Sequence, residues 1–228
     1  MRIQTTVSIC AAVLTLGVMQ AALAAGGGGG GAMPQMDMPS QSPEDLARQD
    51  YNSGVSYLKE AVKQEGKLAE AKDAKQAGKT QEKITKAYEH ALKSFTRAAQ
   101  RMPNMHDAWN YIGYSQRHLG NYNASLAAYA KALELKPNYP EAIEYRGEAF
   151  LGLNAIDDAK QAYMSLYRNS RPLSEQLLAA MKAWVAKRKQ SAEGVDSTTL
   201  EAFASWVDER AAISAQTAST IGDPPARW

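Results

Sequence analysis

The side chains of this sequence best able to do chemistry are three histidines, one cysteine and a run of three methionines, and their spacing gives them little to work with. His90, His106 and His118 fall at no H-x3-H or H-E-x-x-H spacing, the pattern that sets two imidazoles one helical turn apart on a metal. No G-x-S-x-G elbow presents a serine nucleophile, and no glycine-rich loop beside a lysine presents a phosphate cradle. Cys10 sits in an apolar N-terminal run, where it reads as one more apolar residue; a lipid attachment site would want a small residue before it, and Ile9 is not small. Met33, Met36 and Met38 form M-x-x-M-x-M, three thioethers of the soft kind suited to Cu(I), with no histidine nearby. Copper handling through these methionines is one alternative; otherwise the residues predict no catalytic group and no cofactor, and the chain reads as a protein other than an enzyme.

The elements that would position any such group begin after an export segment. Residues 1–24 carry one early cation (Arg2), an apolar run from Val7 to Met19 that is short for a bilayer, and the small-residue site Ala22-Leu23-Ala24. That is the layout of a secretory signal peptide cut after Ala24; left uncut, it would tether the chain to the membrane as an assembly factor. Cleavage removes the single cysteine, so the exported protein must be held together by its core alone. Residues 25–43, six glycines followed by AMPQMDMPSQS and Pro43, have little apolar surface to bury and read as a flexible linker. The 26 Lys plus Arg against 24 Asp plus Glu leave the chain near neutral, which removes the electrostatic case for nucleic acid. No second long apolar run follows, so no transmembrane segment is expected after cleavage.

From residue 44 the pattern becomes helical and then repeats. Laying Asp107–Pro137 over Glu141–Pro172 at a shift of 34 residues brings Ala108 onto Ala142, Gly113 onto Gly147 and Tyr129 onto Tyr163; the reverse shift brings Tyr129 onto Phe95, Ala132 onto Ala98 and Pro137 onto Pro103. Each unit reads as two helices. Trp109, Ile112, Gly113 and Gln116 share one face of the first, and Leu126, Tyr129, Ala132 and Leu133 one face of the second, with Gly120-Asn121 as the turn. Glycine and alanine let two helices approach, and the large aromatics fill the remaining space. In ALELKPNYPEA, Pro137 closes one unit and Pro140 can open the next helix in its first turn, where no backbone donor is lost.

This unit resembles the tetratricopeptide repeat. Trp109, Ile112, Gly113, Tyr129, Ala132 and Pro137 match its pattern in kind, as do Gly147, Phe150, Ala159, Tyr163 and a shifted Pro172 one unit on; Gln116 and Ser125 depart from it. The resemblance covers roughly residues 44–172 and implies an all-α fold, an α-solenoid of about three helix pairs spanning 44–105, 106–139 and 140–172. In the first pair, helices are expected from Glu44 to about Ala77 and from Thr80 to Met102, with Gly78 as the turn and Gly54 of YNSGVSY as the small packing residue. About 25 additional residues separate Gly54 from its partner, so this pair reads as a lengthened hairpin whose mixed-charge outer part faces water. Residues 173–218 read as two capping helices, one with Leu177, Met181, Trp184 and Val185 inward, the other opened by the capping box Thr198-x-x-Glu201 and striped by Leu200, Phe203, Trp206, Val207 and Ile213. Pro224 and Pro225 predict an irregular tail over 219–228.

The resemblance further implies that first helices line a concave groove. Off the packing stripe there stand Asn110, Tyr111, Tyr114, Arg117 and His118, then Glu141, Glu144, Tyr145, Glu148 and Leu151. Tyrosines flanked by charges suit a polypeptide ligand, because they offer area at little entropic cost while the charges set register. The basic clamp with which some family members hold acidic chaperone tails is absent, since Tyr111, Glu141 and Tyr145 stand where it needs basic or polar groups. Three carboxylates in the third unit would repel an acidic ligand and favour a basic one. The expectation is an exported scaffold in the bacterial periplasm, binding envelope proteins through this groove.

Overall fold

The computed structural model describes residues 41–191 and 193–222. The export segment, the methionine run and residues 223–228 lie outside the described residues, so the expectations placed on them find no counterpart here. Among the described residues there are eight helices and no strand: α1 (Pro43–Ala69), α2 (Ala74–Arg101), α3 (His106–His118), α4 (Tyr122–Leu135), α5 (Pro140–Gly152), α6 (Ile156–Asn169), α7 (Arg171–Gln190) and α8 (Ser197–Gly222). Successive helices pack as pairs, α1 with α2, α3 with α4 and α5 with α6, and each pair stacks on the next through α2 against α3 and α4 against α5. This is an all-α solenoid. Its apolar interior falls into three clusters, around α1 to α4, at the α4–α5 junction, and from α5 through α8.

The packing follows the small-against-aromatic pattern. A Cβ placed on Gly113 would stand 2.6 Å from the Tyr129 ring, and one on Gly54 would stand 2.7 Å from Phe95, so each glycine is the slot into which an aromatic of the second helix fits. In the third pair, Gly147 receives Leu177 of α7 at 2.6 Å and Ala162 at 3.2 Å. Tyr129, Ala132, Ala159 and Tyr163 are buried, while Trp109 and Phe150 are half-buried and Pro137 is exposed just past α4. Trp109 keeps its indole N–H satisfied by donating to the Pro103 carbonyl at 2.9 Å. Ser125, standing where the repeat usually has alanine, is fully buried, as its small size permits.

Several boundaries differ from the sequence expectation, each for a capping reason. The turn of the lengthened hairpin is at residues 70–73, not at Gly78. Asp73 caps α2 by accepting the Gln76 N–H at 2.7 Å, and Gln76 Oε1 accepts the Lys72 N–H at 3.1 Å, so two orphan donors are satisfied there and Gly78 lies inside the helix. Likewise Asp196, not Thr198, caps α8, accepting the Thr199 N–H at 2.9 Å. Pro172 opens α7 rather than closing the third pair: it occupies the first turn, as Pro140 does in α5. Helix α8 runs to Gly222, so residues 219–222 are helical and not part of an irregular tail.

The last two helices pack on each other, and α7 packs on α5 and α6. Leu177, Met181, Trp184 and Val185 of α7 and Leu200, Phe203 and Val207 of α8 are buried together against α6, with Trp206 half-buried. Trp184 donates its indole N–H to the Leu151 carbonyl at 2.7 Å, tying α7 to the end of α5. Asn154, in the α5–α6 turn at φ 58°, adds a second tie: Arg188 donates to its Oδ1 at 2.9 Å while its Nδ2 donates to the Glu193 carbonyl at 3.2 Å.

Candidate partner-binding face

Helical geometry gathers Asp107, Asn110, Tyr111, Tyr114 and His118 on one face of α3, away from the stripe that packs Ile112 and Gly113 inward. Rings from neighbouring helices extend that face. Tyr111 stacks on Phe95 of α2 at 5.0 Å, and Tyr51 of α1 meets Phe95 edge-on at 5.5 Å and Tyr111 at 5.9 Å. One turn along, Tyr114 meets Tyr145 of α5 edge-on at 4.9 Å. At the last turn His118 lies between Tyr88 and Tyr114, 4.4 Å from each. Tyr51, Tyr111, Tyr114 and Tyr145 are half-buried, so the row presents aromatic surface to water across the first helices of three pairs.

Charge is organised around the middle of this row. The Arg117 guanidinium lies 5.2 Å above Tyr114 and 5.8 Å above Tyr145, and it pairs with Glu148 of α5. Burial pulls its pKa down, but Glu148, with Tyr129, Tyr114 and Glu144, pushes it up by more, so Arg117 stays cationic. Glu65, from the lengthened part of α1, accepts the Tyr88 O–H at 2.7 Å and lies 3.5 Å from His118 Nδ1. His118 Nε2 is 3.2 Å from an Arg117 nitrogen. A guanidinium can only donate, so Nε2 is the acceptor and the proton of the neutral ring sits on Nδ1, facing Glu65.

The titration directions agree with that assignment. Burial, helped by Arg117 and opposed by Glu65, holds His118 below its ordinary value of 6.5. For Glu65, burial acts upward, but hydrogen bonds from His118 and Tyr88 together with the nearby Arg117 outweigh it and keep the carboxyl below 4.5. Burial lifts Tyr114 to about 12, against Arg117 and with Glu65 and Glu148. Tyr111 is raised by burial, then by Asp107 and Glu141, and Tyr51 by burial, Tyr111 and Asp107. These hydroxyls are protonated near neutrality and available as donors.

The residues expected to line the groove separate into two groups. Asn110, Glu144 and Leu151 are 1%, 2% and 3% exposed, so they belong to the wall behind the face rather than to its lining. The expectation placed them outward because they lie off the apolar stripe, but neighbouring helices close over that edge as well. Tyr111, Tyr114, Arg117, His118, Tyr145 and Glu148 are half-buried on the face, and Glu141 is exposed. Arg117 and Glu148 hold each other and so set no charge pattern of their own. Tyr51, Glu65 and Asp107 join the face without having been expected there, and Tyr88, 1% exposed, stands in the wall behind it. Tyr51 had a signal: it precedes Gly54 by the same step that separates Asn110 from Gly113. Glu65 and Tyr88 had none, since both lie in the lengthened hairpin, which has no counterpart in the repeat.

The fold and this face together describe a helix-pair solenoid with a row of aromatic side chains on its first helices. The tetratricopeptide repeat family model matches residues 106–139, the stretch from the start of α3 to the residue before α5. The chain thus contains a tetratricopeptide repeat, and such a repeat supports a scaffold for protein–protein interaction, typically a non-catalytic one. No curated protein matches the sequence. Among the described residues no helix is long and apolar enough to cross a membrane.

Proposed function

We propose that the protein is an exported scaffold of the cell envelope that holds a polypeptide segment of a partner protein along the face formed by α1, α3 and α5. The observation that carries this reading is the row of half-buried tyrosines, Tyr51, Tyr111, Tyr114 and Tyr145, connected ring to ring across three helix pairs. Such rings bury a large area on binding and lose few rotamers, which suits them to anchor an extended segment. The Arg117–Glu148 pair and the His118–Glu65 contact hold the rings in place before any ligand arrives, lowering the ordering cost of association. Export rests on the signal-like sequence of residues 1–24.

Two measurements test the two halves. Tagged protein expressed with its own N-terminus is fractionated and sequenced: a chain starting at Ala25 in the periplasmic fraction supports export, and an intact N-terminus in the cytoplasm overturns it. In-cell cross-linking followed by purification then compares the parent chain with Tyr114→Ala/Tyr145→Ala and with Gly78→Ala, whose site lies far from the face. Loss of the same defined partner from the tyrosine variant alone supports groove recognition, provided its melting curve stays cooperative. Retention of every partner refutes it.

A further inference from the structure

The aromatic row contains two tyrosine pairs of similar make-up that differ in one respect. Over Tyr114 and Tyr145 lies a cation, Arg117, with Glu148 as its counter-charge. Tyr51 and Tyr111, 5.9 Å apart at the other end, have the Asp107 carboxylate, one turn before Tyr111 on α3, acting on both and Glu141 acting on Tyr111, yet among the described residues no cation stands over either ring. Arg97 and Arg101 both donate to Asp50, at 2.7 and 2.9 Å, and Lys136 stands over Tyr139 at 4.3 Å. Asp107 accepts the Tyr139 O–H at 2.6 Å and has His106 Nδ1 at 3.2 Å, while Glu141 is exposed and in no ion pair among the described residues.

Resting on the groove reading above, we propose that this end of the face takes a basic segment of the partner, a lysine or arginine side chain lying against Tyr51 and Tyr111 with Asp107 and Glu141 as counter-charges. The molecule already satisfies that chemistry once, with its own guanidinium, at Tyr114 and Tyr145. A cation over two rings gains from both quadrupoles, and the flanking carboxylates add attraction that water screens only in part at a half-buried site. An acidic segment would meet the same carboxylates as like charges, and a wholly apolar one would leave them desolvated without a partner.

Fluorescence anisotropy with two short labelled peptides tests this on the full chain, one alternating arginine with alanine and the other alternating glutamate with alanine. The arginine peptide is expected to bind and the glutamate peptide not. Asp107→Asn/Glu141→Gln, nearly isosteric changes, should weaken the arginine peptide by about tenfold. Removing the remote carboxylates in Glu89→Gln/Glu209→Gln should change it less than twofold, roughly what loss of distant, screened charge does. Equal binding of both peptides, or equal weakening by the two double variants, overturns the charge selection. A photo-reactive group on each peptide, with cross-links located by mass spectrometry, separates this from the parent reading. Cross-links on α1, α3 and α5 from the glutamate peptide alone defeat the basic-partner assignment and leave the groove standing. Cross-links confined to other helices defeat the groove itself.

Discussion

In the first helix pair Gly54 meets Phe95 across 41 residues of chain; in the second Gly113 meets Tyr129 across 16, yet the two contacts are nearly superposable in kind, at 2.7 and 2.6 Å from ring to the position of a Cβ. The difference is 25 residues, and it appears as two helices of 27 and 28 residues where the second pair has 13 and 14. One glycine-to-aromatic slot therefore fixes a pair near its base, and what lies beyond the slot can lengthen freely as long as it brings its own core. The lengthened part extends each helix by roughly 20 Å and does so with Ala61, Thr80, Ile84 and Ala87 buried between its arms. It is also tied sideways, through Glu65 and Tyr88, to His118 at the end of α3. The second pair, with neighbours on both sides, needs no such tie.

The largest effect should come from filling either slot. Gly113→Ala and Gly54→Ala are each expected to lower stability by about 2–3 kcal/mol, since a methyl group there would overlap a fully buried ring. Urea unfolding of the two variants measures it, and a large loss in one with none in the other would mean that the slots are not equivalent. Tyr88→Phe should follow at about 1–2 kcal/mol, because it leaves part-buried Glu65 without that donor; a change within about 0.3 kcal/mol would remove the sideways tie from the account.

Acid should weaken the same tie. His118 in the folded chain binds its proton less readily than the ordinary imidazole with pKa 6.5, so below that pH the unfolded chain takes up more protons and folding becomes less favourable. Glu65, held below 4.5, adds stability that is present above that pH and is lost as pH falls through its folded-state pKa. Melting temperature should decline from pH 7 towards pH 5, and His118→Gln should flatten that part of the curve; an unchanged slope in the variant would assign the decline to other groups. The smallest effect, and of opposite sign, is expected at Gly78, inside α2 with open space around its Cα: Gly78→Ala should raise stability by about 0.5–1 kcal/mol. Thermal melts showing a loss there would imply a neighbour that the packing does not reveal.

Much of the solenoid was readable before any coordinates, because glycine, aromatic and proline positions are local requirements of helix contact and helix ends. Gly54, Gly113, Tyr129 and Pro140 each act as their residue type and position implied. The hairpin turn was misplaced because Gly78 is the more conspicuous breaker, whereas the helix start is decided by Asp73 and Gln76, whose capping value depends on which N–H groups are left unpaired. Among the face residues, tyrosines and outward glutamates were legible from periodicity, but Asn110 and Glu144 were not, since burial at the edge of a helix stripe depends on how closely the next helix approaches.

The order of amino acids settled the helical pairs, their period, the slot residues and the positions of the prolines, all of which follow from steric and hydrogen-bonding demands within about one helical turn or one pair. It also placed tyrosines on the first helices. Only the packed chain decided that Arg117 is held by Glu148, that Glu65 reaches from the lengthened hairpin to His118, and that Tyr51 and Tyr111 stand beside carboxylates without a cation over them. Those pairings join residues from different helix pairs, and their charges act through space over distances that no spacing along the chain encodes.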